Sequence, residues 1–266
     1  MDLQAQKAHL REHGWCVVPN VLSRAEADAI RQRLWRAGDE SERRGVPTRN
    51  IGLDPNEHNV RIFYLLELDP VFRDLIQHPA AIDLVTALLG PDFIISNFTA
   101  NIALPGSQSM RIHSDLSIVA PEPWYHPWSL NIIWCLNDVD EENGATRYLP
   151  GSHRIRWRSE LPVDPAAQMV PFSAPAGSIV AMEGRIWHTS GANLSKDRER
   201  ALLFGYYSSS FIRPQVNWNA ALSPETIAAL SPQMQEWLGL GVRANVKLGT
   251  RLREAATQKL QAAVGE

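Results

Sequence analysis

Cysteine is scarce in this chain, with only Cys16 and Cys135, each in an apolar, strand-like run far from the other. Two such thiols provide neither a disulfide framework nor, alone, a zinc site, so buried free thiols in a reducing cytoplasm are expected. No run of about 18 apolar residues exists, which leaves no candidate membrane-spanning helix. The opening residues Met1–Lys7 carry no apolar stretch, so no secretory signal is expected. Nor is there an excess of one charge. The net charge of −3 gives no electrostatic case for nucleic acid or an anionic membrane surface as a partner. Repeats and low-complexity tracts are absent as well. What remains is an ordinary globular composition, 44% hydrophobic and 21% charged over 266 residues, enough to bury one large core.

Tryptophan, by contrast, is abundant at nine residues. Trp124, Tyr125, Trp128, Trp134 and Trp187 cluster around the most suggestive motifs. Most aromatics of this kind belong to a core, and some can line an apolar pocket.

The first half of the chain reads as helices framing a few strands. Gln4–His13 is helical with Gly14 as its stop, and Trp15–Val18 is a short strand. Ser23-Arg24-Ala25-Glu26 is a capping box that opens a helix to about Ala37. Glu40–Asn59 shows no period and reads as a loop, after which Asp69-Pro70 and His78-Pro79 start two helices, the second ending at Gly90. From Phe93 the pattern changes to strands, predicted at Phe93–Leu104, Met110–His113, Leu130–Leu136, Ser178–Met182 and Ala201–Ser208. Gly/Pro punctuation between short strands indicates an antiparallel barrel or jelly roll. Helical character returns over 216–266, with Ser223-Pro224 and Ser231-Pro232 as starts. A single domain over 1–266 is the simplest organisation, with a helical frame over about 1–92 and a β core over about 93–215.

Two segments carry the chemistry: Arg111-Ile112-His113-Ser114-Asp115 and Ile186-Trp187-His188-Thr189-Ser190. Two imidazoles and one carboxylate can hold one face of an Fe(II) ion and leave positions open. In an extended segment residues i and i+2 share a side, so His113 and Asp115 can converge on one ion, with His188 supplied by another strand. Arg200 opens the strand Ala201–Ser208 and is placed to take a carboxylate bidentately. Arg198, two residues earlier, is its rival.

These motifs occur together with Asn143-Gly144-Ala145-Thr146 and Pro150-Gly151-Ser152-His153, then His188-x-Ser190-x-x-Asn193. The ordered set resembles the phytanoyl-CoA dioxygenase family over about residues 10–215. The resemblance implies a mainly β fold with flanking helices (α+β) and a double-stranded β-helix core, jelly-roll and cupin-like. It implies His113, Asp115 and His188 as metal-binding catalytic residues, and Arg200, Thr146, Ser190 and, from strand-face logic, Asn131 as cosubstrate contacts. Fe(II), 2-oxoglutarate and O2 are the implied cofactors, with ascorbate supportive in vitro. The implied activity oxidises, most simply hydroxylates, a C–H bond of a small, largely apolar molecule such as a secondary metabolite, releasing succinate and CO2. Desaturation, epimerisation, cyclisation or endoperoxide formation use the same ligands and stay open as outcomes, as does a non-catalytic ligand-binding barrel. The partner expected is a small molecule, with no nucleic acid and no membrane, and monomer and homodimer both stay open.

Relatives often carry glutamine where this chain has Met110, which leaves one polar contact unaccounted for. The retained Asp115 argues against halogenation, for which relatives free that coordination position. His153 reads as a structural turn residue. Leu116–Trp128 is a candidate lid, and Phe63, Tyr64, Phe98 and Phe211 are candidate pocket walls.

Overall fold

Local chemistry sets most helix boundaries in the computed structural model, which describes residues 2–240. Helix α1 (Gln4–His13) stops where Gly14 turns left-handed at φ 80°, and strand β1 (Trp15–Val18) follows. Helix α2 (Arg24–Arg43) opens with the expected capping box. The Ser23 hydroxyl accepts from Glu26 N at 3.2 Å, and the Glu26 carboxylate accepts from Ser23 N at 2.7 Å. The helix continues beyond Ala37 because Gly38 and Ser41 extend its buried face. The stretch Glu40–Asn59 therefore begins as helix, and its last residue starts β2 (Asn59–Ile62). After the short α3 (Leu65–Leu68), α4 (Pro70–Ile76) and α5 (Pro79–Leu89) begin at the two prolines. Asp69 caps one by accepting from Val71 N, and His78 caps the other by accepting from Ala80 N.

Eight further strands follow: β3 (Phe93–Ala103), β4 (His113–Ser114), β5 (Ser129–Cys135), β6 (Arg147–Tyr148), β7 (Val170–Pro171), β8 (Ile179–Glu183), β9 (Trp187–Thr189) and β10 (Arg200–Ser209). The predicted strand Met110–His113 is a correction, since only His113 joins a ladder. Side chains hold the rest of that segment: Met110 N donates to Ser190 Oγ at 3.0 Å and Thr189 Oγ1 donates to Met110 O at 2.6 Å. Strands β6, β7 and β9 are too short to show a period in sequence.

One sheet has the order β1-β8-β5-β10-β3-β2 and the other β4-β9-β6-β7, with every pairing antiparallel. This is the two-sheet arrangement of a jelly roll with flanking helices. Ile133, Val180, Met182 and Leu202 of the larger sheet pack with Tyr148 and Phe172 from the smaller sheet's side. The Tyr148 and Phe172 rings stack with centroids 3.9 Å apart, and Trp15 seals them edge-on to Phe172. Helix α5 covers the outer face of β3, β5 and β10, which explains why β5 is buried along its whole length.

The chain divides into two compact units, Met1–Val216 and Asn217–Glu266. The second holds α6 (Trp218–Ala221), α7 (Pro224–Ala228) and α8 (Pro232–Trp237), the latter two capped by Ser223 and Ser231 as expected. The part of the predicted helical tail beyond residue 240 lies outside the described residues. Among the described residues no helix is long and apolar enough to cross a membrane.

Candidate metal centre

Strand pairing brings the two histidines together. His113 on β4 is the register partner of His188 on β9, and their ring centroids lie 4.3 Å apart. Each Nδ1 sits 2.9 Å from a backbone carbonyl, that of Arg111 for His113 and of Ile186 for His188. A carbonyl only accepts, so each Nδ1 carries a proton, and in the neutral ring that a metal ion takes each Nε2 then presents the lone pair. Burial keeps the His188 imidazole neutral by lowering its pKa, against the opposing pull of Asp115.

Asp115 completes the group by a different route from the expected one. It is the first residue of a 3₁₀ turn (Asp115–Ile118), so its carboxylate comes back toward His113 through a bend and not along an extended strand. Its Oδ1 lies 3.9 Å from His113 Nε2 and 3.7 Å from His188 Nε2. One ligand atom from each residue falls within 4.8 Å of the others. Neutral imidazole plus carboxylate, with Nδ1 tied to the backbone, fits a facial Fe(II) site. The second carboxylate oxygen is occupied, since Asn131 Nδ2 donates to Asp115 Oδ2 at 3.1 Å. Tyr206 holds the same residue from its backbone, donating to Asp115 O at 3.2 Å.

These ligands line a cavity of about 170 Å³ that Arg200, Thr146, Ser190 and Asn131 also line. Arg200 is 1% exposed and has no carboxylate partner among the described residues. Its Nη1 donates to Gly144 O at 2.9 Å, its Nη2 donates to Asn101 Oδ1, and its Nε is unpaired. Burial, with the Arg61 charge nearby, pulls its pKa down to about 10, which leaves it cationic at neutral pH. Arg198 is spent elsewhere, bridging Asp140 and Glu142 at 2.6 Å each.

The motif Asn143-Gly144-Ala145-Thr146 reaches this cavity through a tight backbone crossing. Gly144 has φ +89°, and a Cβ on it would stand 2.9 Å from Gly191 O. A Cβ on Gly191 would stand 2.7 Å from Ala145 O. Gly191 N donates to Ala145 O at 3.0 Å, which locks Thr146 and Ser190 beside each other. Asn143 anchors the turn by donating to Asp138 O at 2.7 Å.

Several cavity residues were not anticipated. Along β3, Asn97, Thr99 and Asn101 share one face and line the cavity, opposite Tyr206, Phe204 and Leu202 of β10. Polar residues at the alternate positions 97, 99 and 101 of a largely apolar strand were the available signal. Arg61, Met110 and Gln215 complete the lining.

The expected aromatic wall is corrected. Phe98 is fully buried against Phe72 on the other face of β3, Tyr64 and Phe211 are exposed, and neither they nor Phe63 line the cavity. Phe204 and Tyr206 supply the aromatic surface instead. Nor does Leu116–Trp128 line it. Trp124 is 1% exposed in a cluster with Leu116, Leu149 and Trp187, and Arg185 donates to Tyr125 O at 3.1 Å. His153 lies apart from the metal ligands, its Nε2 bonded to Glu12 O at 3.0 Å. Arg111 is exposed.

Known proteins are similar to this chain in sequence or in fold. The family model for phytanoyl-CoA dioxygenase (PhyH) matches residues 10–201. Dioxygenase af480 of Aspergillus fumigatus is 50% identical over 240 residues, covering 90% of this chain and 78% of its own. The non-heme alpha-ketoglutarate-dependent carbocyclase SnoK from nogalamycin biosynthesis has the same fold, with a TM-score of 0.66, 24% identity, and coverage of 86% of this chain and 91% of its own. HygX from Streptomyces hygroscopicus, solved with nickel and 2-oxoglutarate bound, gives 0.64 at 19% identity, covering 80% and 90%.

Proposed function

The chain belongs to the phytanoyl-CoA dioxygenase family of Fe(II)/2-oxoglutarate-dependent oxygenases, and on that premise we propose that it hydroxylates a C–H bond of a small, largely apolar molecule such as a secondary metabolite. The single observation that carries the assignment is a buried guanidinium without a carboxylate partner, Arg200, in the cavity that holds His113, Asp115 and His188. An uncompensated buried cation is costly unless an anion arrives to pair with it. A dicarboxylate that chelates the metal at one end supplies that anion at the other.

In this reading His113, Asp115 and His188 hold the metal, and Arg200 takes the distal carboxylate with the Thr146 hydroxyl beside it. Ser190, already fixed by Met110 N, shapes the same end, and Asn131 acts by holding Asp115. When bound, iron and 2-oxoglutarate supply the oxidation itself, consuming O2 and releasing succinate and CO2. The protein's part is to keep the His188 imidazole neutral, tie both Nδ1 atoms to the backbone and keep the carboxylate oriented. The whole chain is taken to act as one oxygenase domain. A cytoplasmic location fits Cys16 and Cys135, both free and buried, with burial pushing each thiol up to about 12.

The test is anaerobic addition of Fe(II) and 2-oxoglutarate, watching for their metal-to-ligand charge-transfer band, followed by succinate release in air with ascorbate. The band should form with wild-type protein and fail in His188→Ala. Absence of both band and succinate in the wild type would sink the proposal.

A further inference from the structure

The cavity is electrically balanced once metal and cosubstrate are in place. Arg61 is cancelled by Asp54, whose side chain is 0% exposed and which accepts from Arg61 Nε at 2.9 Å and Nη2 at 2.6 Å. A divalent cation on Asp115 leaves one positive charge, Arg200 adds a second, and the 2-oxoglutarate dianion cancels both. None of the other lining residues carries a charge. A charged group entering this space finds no unpaired counter-charge to offset the water it gives up.

Neutral contacts, however, are available. Gln215, exposed at the cavity's rim, makes two bonds: its N donates to Ser96 Oγ at 3.0 Å and its Oε1 accepts from Asn97 Nδ2 at 3.0 Å, while Val216 N beside it donates to Ser96 O at 3.1 Å. Its Nε2 has no partner among the described residues, and neither has the hydroxyl of Thr99. Turning both amides end for end exchanges donor for acceptor and still leaves one end of Gln215 free. Phe204, the register partner of Thr99, and Tyr206, that of Asn97, place two aromatic rings beside these groups.

Resting on the family activity above, we propose that the part of the substrate entering the cavity is uncharged and bears a hydrogen-bonding oxygen or amide, which Gln215 and Thr99 hold against Phe204 and Tyr206. The substrate class is thus a neutral oxygenated or amide-bearing carbon skeleton. A carboxylate or ammonium near the reacting carbon is disfavoured, because no unpaired charge in the lining offsets it. Gln215 and Thr99 are the specificity-determining residues.

The experiment loads the protein with Zn(II) and 2-oxoglutarate and measures binding of four ring probes by calorimetry and ligand-observed NMR. The probes are cyclohexanone, cyclohexanol, cyclohexanecarboxylate and cyclohexylammonium. The neutral pair should bind at least about tenfold more tightly than either ion. Gln215→Leu should weaken the neutral probes about three- to tenfold, the range of one lost hydrogen bond. Gln215→Glu should turn the preference toward cyclohexylammonium, a gain that misfolding does not produce. Absence of a neutral-over-charged preference in wild type, or unchanged affinities in both Gln215 variants, would overturn the inference. Failure of 2-oxoglutarate itself to bind the zinc-loaded protein, seen before any probe is added, counts against the family activity and not against Gln215.

Discussion

Asn131 holds one oxygen of Asp115 and thereby decides which oxygen is free. The amide donates to Oδ2 at 3.1 Å, and Oδ1 is the atom left facing the two histidine Nε2 atoms at 3.7 and 3.9 Å. Ordering of this kind around a metal ligand commonly sets affinity. Asn131→Leu is therefore expected to lower metal affinity about 10- to 100-fold. Titration with Co(II), followed by its visible spectrum, measures this, and an unchanged dissociation constant would show that Asp115 is held without the amide.

Arg200 and Arg198 are two residues apart and have opposite surroundings, one buried without a counter-ion and the other bound to Asp140 and Glu142. Arg200→Ala should weaken 2-oxoglutarate by about 100-fold or more, because the buried carboxylate loses its paired cation. Arg198→Ala should change it less than about threefold, since it touches only surface carboxylates. Calorimetric titration of metal-loaded protein decides between them. The reverse ranking would move the cosubstrate site.

Gly191 and Gly144 cross so closely that a methyl group at position 191 meets backbone, not a yielding side chain. Gly191→Ala is expected to cost about 1–3 kcal/mol of stability through that overpacking. It should also weaken 2-oxoglutarate, because Ser190, Thr146 and the Arg200 acceptor Gly144 O all lie at the crossing. Denaturant unfolding and cosubstrate titration give the two readouts. Loss of stability with intact cosubstrate affinity would separate the crossing from the site.

His153 imposes a pH dependence. Burial, opposed by its bond to Glu12 O, pushes its pKa down to about 4, below the value near 6.5 of an unfolded chain. Between those values the unfolded state binds the extra proton, so stability falls as pH drops through that window. The loss attributable to His153 is about 1–3 kcal/mol by pH 4. His9, His78 and His188 are shifted the same way by burial and steepen the trend. Urea unfolding of metal-free protein at several pH values should show a shallower slope in His153→Gln than in wild type. Equal slopes would assign the trend to the other histidines.

Much of the frame was legible in the residues themselves. Helix starts carry their own chemistry, as at Ser23–Glu26, Asp69-Pro70 and Ser231-Pro232, and each begins where its capping residue stands. The long strands β3, β5, β8 and β10 announced themselves by apolar length, and their predicted bounds lie within a residue or two of those observed. His113, Asp115, His188 and Arg200 stood out as residue types whose order matched a known pattern. For all of these the relevant interaction is local, or the signal is a spacing along the chain.

Tertiary structure decided what depends on meeting across the chain. Strands β4, β6 and β9 have two or three residues each and exist only because neighbours complete their ladders. Burial alone separates Arg200 from Arg198, since both stand in the same charged stretch of sequence. Trp124 was placed in a core cluster, while Phe204, Tyr206, Asn97 and Gln215 were turned to the cavity. A side chain's type tells what it can bind. Only the register of β3 against β10, and the crossing of Gly144 with Gly191, tells which side chains share one space.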